Sequence, residues 1–154
     1  MIELEIPGRA PLALAHLVLD VNGTIALDGA LLPGVRERLD LLRQRLDVRL
    51  LTADTHGQQA AIDAELGLTA SVITRGTAEK GAYVLALGAG GVAVLGNGAD
   101  DVAMFNAAAL RIAVLGPEGL AAELLRSADV LVSDPCAGLD LLLHPRRLVA
   151  TLRR

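Results

Sequence analysis

The chain has 154 residues, a formal net charge of -4, and 53% apolar against 21% charged residues. That length suits a single domain over residues 1–154 with a core of its own, and the composition excludes a disordered chain. Tyr83 and Phe105 are the only aromatic residues and no basic block occurs, so a single-strand nucleic-acid platform of stacking rings in a basic groove is excluded. One cysteine, Cys136, rules out an internal disulfide framework. It reads as a small buried hydrophobe in a cytoplasmic protein. Glu3 and Glu5 interrupt any secretory leader. The uncharged stretch from Gly81 to Ala99 is broken by Gly88, Gly90 and Gly91, which argues for core and against a membrane span.

Ile2 to Ile6 alternates apolar and acidic residues and predicts a half-exposed strand, followed by a loop at Pro7-Gly8 and Pro11. Leu14 to Asp20 predicts a buried strand. Asp28-Gly29 between two short apolar runs predicts a hairpin. Pro33-Gly34 then opens a helix to about Leu46, with Val35, Leu39, Leu42 and Leu46 at the helical period. Val48 to Thr52 predicts a second buried strand, and a helix runs from about His56 to Leu66, ended by Gly67. Ala70 to Thr74 predicts a third strand, and Thr77 can cap a helix over residues 78–87. Gly91 to Leu95 predicts a fourth strand, followed by a polar loop and a helix through Ala107. Leu110 to Leu115 predicts a fifth strand, Pro117 opens a helix to about Ser127, and Val130 to Val132 makes a short last strand. Leu139 to Leu152 predicts a closing helix interrupted at Pro145. Near-continuous apolar strands alternating with helices indicate an α/β fold, a three-layer doubly wound parallel sheet.

Ligands of such sheets bind outside the carboxyl ends of the strands. Polar residues directly after a buried strand are therefore the candidates. They are Asp20, then Thr52 with Asp54, then Lys80 in the helix after the third strand, then Asn97 with Asp100 and Asp101. Carboxylate, hydroxyl, amine and an amide–carboxylate cluster together suit a phosphate and a metal. Asp20 can attack phosphorus as a nucleophile. Thr52 can donate to a phosphoryl oxygen, and Lys80 can offset charge. Lys80 is the single lysine among 14 lysines and arginines, and a first helical turn is a poor place for a cation unless an anion is fixed nearby. Backbone N–H groups at Asn22, Gly23 and Thr24 can cradle an anion. Asp20, a main-chain carbonyl and the 97–101 loop offer hard oxygen ligands for Mg²⁺.

These residues carry a resemblance. The chain resembles the haloacid dehalogenase superfamily, and within it capless soluble proteins related to the phosphorylation domain of P-type ATPases. The pumps' Asp-Lys-Thr-Gly-Thr stands here as Asp20-Val21-Asn22-Gly23-Thr24, and their Thr-Gly-Asp as Thr52-Ala53-Asp54. Their lysine matches Lys80, and their Gly-Asp-Gly-x-Asn-Asp matches Gly96-Asn97-Gly98-Ala99-Asp100-Asp101. The likeness runs from about Leu14 to Ala109. It implies a Rossmann-like core without a large cap, the hairpin at about residues 25–32 serving as the small flap. It also implies a phosphatase-type hydrolase or phosphotransferase, with Asp20 as the phosphorylated nucleophile aided by Thr52 and Lys80. Phosphate contacts would come from Asn22, Gly23, Thr24, Thr52, Ala53 and Lys80. Mg²⁺ would be held by the Asp20 carboxylate, the Asn22 main-chain carbonyl, Asn97 and, through water, Asp101 or else Asp100, with Asp101 the better candidate of the two.

Two departures matter. The family's phosphatases carry an acid/base aspartate where this chain has Asn22, and a metal-ligating aspartate where it has Asn97. General acid–base help is worth roughly 10²–10⁴ in rate, so the resemblance implies slow turnover and weaker Mg²⁺ binding. The expected partner is a small phosphorylated substrate or a phosphoprotein, with no nucleic acid and no membrane; the apolar content is compatible with a homo-oligomer. A second reading is a phosphate-sensing or partner-binding module that has kept the fold and lost turnover. A response-regulator receiver ranks last, because the paired acidic residues after its first strand are missing. Asp54 reads as a helix cap and Asp100 as a charge complementing a helix start. His56 stands close enough in sequence to approach the site. Arg146, Arg147, Arg153 and Arg154 read as solvating a terminal helix.

Overall fold

The structure is a computed structural model and describes residues 1–54 and 57–154. Among the described residues ten strands form in chain order. They are β1 (Ile2–Leu4), β2 (Leu12–Leu14), β3 (His16–Asp20), β4 (Ala26–Leu27), β5 (Ala30–Leu31), β6 (Asp47–Thr52), β7 (Ser71–Val72), β8 (Val92–Gly96), β9 (Leu110–Val114) and β10 (Val130–Val132). The helices are α1 (Val35–Leu42), α2 (Gln59–Leu66), α3 (Thr77–Ala86), α4 (Val102–Ala107), α5 (Pro135–Leu143) and α6 (Pro145–Leu152). Six strands make one sheet in the order β10-β9-β8-β3-β6-β7, and every pairing in it is parallel. The chain leaves β3 toward β6 and β7 on one side and returns to β8 on the other. Between β3 and β8 the winding reverses, which makes the carboxyl end of β3 the switch point where such sheets bind ligands.

Both sheet faces are covered, which is why the strands read as unbroken apolar runs. Leu17, Leu19, Leu50 and Leu95 pack with Val35, Leu39 and Leu42 of α1 and with Leu139 and Leu148 of α5 and α6. Val18, Leu51, Val92 and Val94 face the other way, against Val84 of α3 and Met104 and Phe105 of α4. Alternate residues of β3 thus serve two cores, as the two-residue period of a strand requires.

The expected α/β architecture is present, with local differences. Leu14 belongs to β2, which pairs antiparallel with β1 as an N-terminal hairpin; the step at Ala15 separates it from β3. The ends of that step are tied into the sheet, Ala15 N–H donating to Gly91 O at 2.8 Å and Ala15 O accepting from Asp47 N–H at 2.9 Å. The Asp28-Gly29 hairpin forms β4 and β5, with φ of 50° and 79° at the two turn residues. Both are left-handed, as this tight turn demands. Helix α1 stops at Leu42, and Leu46 reaches the core through a turn closed by Leu46 N–H on Leu42 O. Thr77 does not cap α3: Gly76 is the cap residue, and the Thr77 hydroxyl accepts from Ala103 N–H at 3.3 Å. Among the described residues no α-helix starts at Pro117. Gly116 to Gly119 is a turn, and a 3₁₀ segment covers only Ala122–Arg126. Among the described residues no helix is long and apolar enough to cross a membrane.

Candidate active site

Asp20 is the last residue of β3 and is buried, as are Thr24, Thr52, Lys80, Asn97 and Asp101. After β3 the chain turns back on itself: Val21 O accepts from the N–H groups of Thr24, Ile25 and Ala26. This loop delivers the Thr24 hydroxyl to Asp20 Oδ2 at 2.9 Å and to Asn97 Oδ1 at 3.1 Å, so one proton is shared between two acceptors. Gly23 has φ of 80°, and a side chain there would run into the Glu118 carboxylate and the Asn97 amide. Only glycine meets both conditions. The Gly23 N–H donates to Ala26 O and the Thr24 N–H to Val21 O, so in this conformation two of the three expected anion donors are committed inside the loop.

Strand β6 ends in Thr52. Its Oγ1 accepts from Asp54 N–H at 2.9 Å and from Asn22 Nδ2 at 3.4 Å. With two bonds accepted, the hydroxyl proton is left to donate. Asp54 has φ of 49° and its carboxylate accepts from Gln59 N–H at 3.2 Å, as a residue tying down a helix start should. His56 lies outside the described residues.

Lys80, in the first turn of α3, is 1% exposed and reaches three carboxylates. Its Nζ lies 2.8 Å from Asp20 Oδ1, 2.7 Å from Asp101 Oδ1 and 2.7 Å from Asp100 Oδ2. A buried ammonium is expensive unless paired; here the chain's one lysine meets an excess of negative charge. Burial pushes the Asp20 carboxyl up to about 7, Asp101 adds to that, and Lys80 works against it. Burial also raises the Asp101 carboxyl despite Lys80. Burial works to lower the Lys80 ammonium, but Asp20 and Asp101 hold it above its ordinary value and charged.

The loop after β8 divides its acidic pair. Asp101 Oδ2 accepts from the N–H groups of Asn97 and Gly98, both at 3.0 Å, while its Oδ1 meets Lys80. Both oxygens are thus occupied, and Asp101 holds the loop in shape. Asp100 instead has a half-exposed side chain and lines a pocket of about 220 Å³ with Asp20, Asn22, Ala53, Asn97, Gly98 and Glu118. Ligand atoms of Asp20, Asp100 and Asp101 lie within 4.8 Å of one another. The donors facing the pocket are hard oxygens, and the carboxylates outnumber Lys80, so the residues fit a small divalent cation. The sequence reading weighed Asp101 above Asp100; on geometry the freer carboxylate is Asp100.

Sequence reasoning missed Glu118. Gly116-Pro117-Glu118-Gly119 is a turn, closed by Gly119 N–H on Gly116 O at 2.9 Å, and it hangs over Gly23. Pro at the second position with Gly at the fourth is a turn signature that the helix reading overlooked. Asn97 holds the turn: its Nδ2 donates to Gly119 O at 3.1 Å, and its carbonyl accepts from Ala121 N–H at 2.9 Å.

No family model matches the chain. Two uncharacterized proteins of Methanocaldococcus jannaschii do. MJ0072 is 51% identical over 39 residues, 25% of this chain and 89% of that protein. MJ0073 is 40% identical over 62 residues, 40% of this chain and 67% of that protein. Among solved structures, one described as a HAD family hydrolase, from Streptomyces avermitilis, has a TM-score of 0.67 at 20% identity and covers 88% of this chain and 94% of that one. Phosphoserine phosphatase, as a phospho-aspartyl intermediate analogue, has a TM-score of 0.65 at 14% identity over 86% of this chain and 99% of that one. The 3-deoxy-D-manno-octulosonate 8-phosphate phosphatase of Moraxella catarrhalis, with magnesium, phosphate and the sugar acid, has a TM-score of 0.64 at 17% identity over 91% and 94%. The chain therefore belongs to one family with the two Methanocaldococcus jannaschii proteins, and its fold is that of the haloacid dehalogenase superfamily.

Proposed function

We propose that the protein is a Mg²⁺-dependent phosphohydrolase that works through an aspartyl-phosphate at Asp20. The observation that carries this reading is the placement of one buried carboxylate at the sheet's switch point. Its Oδ2 is bound by Thr24 and its Oδ1 by Lys80, and it opens on a small polar pocket. That a phosphoserine phosphatase of like fold was solved as a phospho-aspartyl analogue, and an octulosonate phosphatase with magnesium and phosphate, supports it. The Asp20 carboxylate, the Asn22 main-chain carbonyl, Asn97 and Asp100 would hold the metal; when bound, the ion offsets phosphate charge and orients the phosphoryl group. Lys80 opposes the burial that raises the Asp20 carboxyl and faces the same phosphate charge. Thr52 has a hydroxyl proton free for a phosphoryl oxygen. The substrate is a small phosphate ester or a phosphoprotein, taken by an open site, and the protein acts in the cytoplasm, alone or as a homo-oligomer.

Purified protein with Mg²⁺ should release phosphate from p-nitrophenyl phosphate. Asp20→Ala should reduce the rate to that of protein-free solution, and chelation of the metal should do the same. Unchanged phosphate release from folded Asp20→Ala protein would falsify this reading. Asn22 favours a second one, a phosphate-sensing module, because its amide donates to Thr52 where an acid/base carboxylate would serve turnover. That module would take up a beryllofluoride adduct and release no phosphate over many site equivalents of ester.

A further inference from the structure

The hydrolytic half of the proposed reaction needs a base, and an amide at position 22 cannot be one. We propose that Glu118 takes that role: it is the general base that activates water against the Asp20 phosphoryl group. The inference rests on the phosphohydrolase reading above.

Three observations carry it. Glu118 is the one carboxylate lining the Asp20 pocket that belongs neither to the strand end nor to the loop after β8. It stands on a short turn closed by a backbone hydrogen bond, with proline at the second position, so its backbone is held in place. Its carboxylate lies against Gly23, on the side where the Asn97 amide also sits.

The two departures from the family pattern then form one arrangement. The amide at position 22 removes the usual base. The amide at position 97 supplies an N–H that an aspartate lacks, and that N–H holds Gly119 O. An aspartate there would face the same carbonyl, and the nearby Glu118, with a negative charge. The substitution that weakens the metal site therefore secures the turn that presents another carboxylate.

In the first half, an Asp20 oxygen bonds to phosphorus and the ester P–O bond breaks, its electron pair leaving with the alcohol oxygen. A leaving group as weakly basic as p-nitrophenolate needs no proton from the protein. In the second half, water attacks phosphorus and Glu118 takes one of its protons. The P–O bond to Asp20 breaks, its pair returns to the carboxylate, and inorganic phosphate departs. Glu118 then gives its proton to solvent.

Rapid mixing of Mg²⁺-loaded protein with p-nitrophenyl phosphate separates the halves. Wild type should show a burst of p-nitrophenol followed by steady turnover. Glu118→Gln should keep the burst, lose steady turnover by about 100-fold, in the range of a missing general base, and accumulate acid-precipitable phosphoprotein. Its Mg²⁺ affinity, measured by titration calorimetry, should stay within threefold of wild type. Unchanged steady turnover in Glu118→Gln overturns the role of Glu118 and leaves the phosphohydrolase reading standing. Loss of both phases with weakened Mg²⁺ binding also overturns it, making Glu118 part of the metal site. A wild type that forms no phosphoprotein overturns both readings.

Discussion

At the residue scale, Lys80 decides whether the site exists at all. Asp20 and Asp101 are buried, and without a cation beside them their charge would be uncompensated; breaking a buried ion pair by removing one partner costs about 3–5 kcal/mol. Lys80→Met keeps the length of the side chain and removes the charge. It should lower the unfolding free energy by that amount in urea titrations at pH 7, whatever it does to activity. Loss of less than about 1 kcal/mol would mean that water or relaxation already compensates the carboxylates. The residue scale is also where the sequence was most legible. Asp20, Thr52 and Asn97 each follow an apolar run directly, and Lys80 stood out as the only lysine. The sharing of work between Asp100 and Asp101 was not legible, because neighbouring aspartates at a helix start look alike until the loop's N–H groups choose one.

At the scale of elements, the site depends on how closely α3 packs on α4. Gly81 follows Lys80, and a Cβ there would stand 2.9 Å from Ala103 Cβ and 3.2 Å from its carbonyl carbon. Replacing an exposed helical glycine by alanine ordinarily gains about 1 kcal/mol. At this contact the added methyl overpacks, at a cost of about 1–3 kcal/mol. Gly81→Ala should therefore lower Tm, and by pushing α3 outward it should draw Lys80 from Asp20 and reduce turnover. A raised Tm would show that the interface has room. The helices expected from periodicity are present wherever an apolar face is repeated over two turns, as in α1. The expectation failed after Pro117, where proline, glycine and acidic residues fit a helix start and a tight turn equally well locally. Contact with Gly23 and Asn97 decides for the turn, and with it the position of Glu118.

At the scale of the whole molecule, the N-terminal hairpin is latched to the sheet by one buried carboxylate. Asp129 has a side chain 4% exposed; its Oδ1 accepts from Arg9 at 2.9 Å and its Oδ2 from the Arg111 backbone and guanidinium at 3.0 and 2.9 Å. Burial acts to raise the Asp129 carboxyl, but the bonds from Arg111 and Arg9 prevail and hold it below its ordinary 3.8. A depressed folded value means that the contribution is fully present above about pH 4 and is lost as pH falls through the folded value. Asp129→Asn should lower stability at neutral pH and flatten the decline below pH 4, read as urea midpoints across pH. An unchanged acid slope would place the acid sensitivity elsewhere.

The class of fold was determined by the sequence alone, because strands buried on both faces must be apolar throughout and must alternate with covering helices. The order of chemical groups along the strand exits was determined there too, since a strand's end is a local property. What only the tertiary structure decided is which of these groups meet. The reversal of winding beside β3 brings residues 20, 80 and 97–101 to one point, and the turn at Gly116–Gly119 adds a carboxylate from a strand farther along the sheet. Such convergence depends on strand order and loop contacts between distant parts of the chain, and no local pattern encodes either.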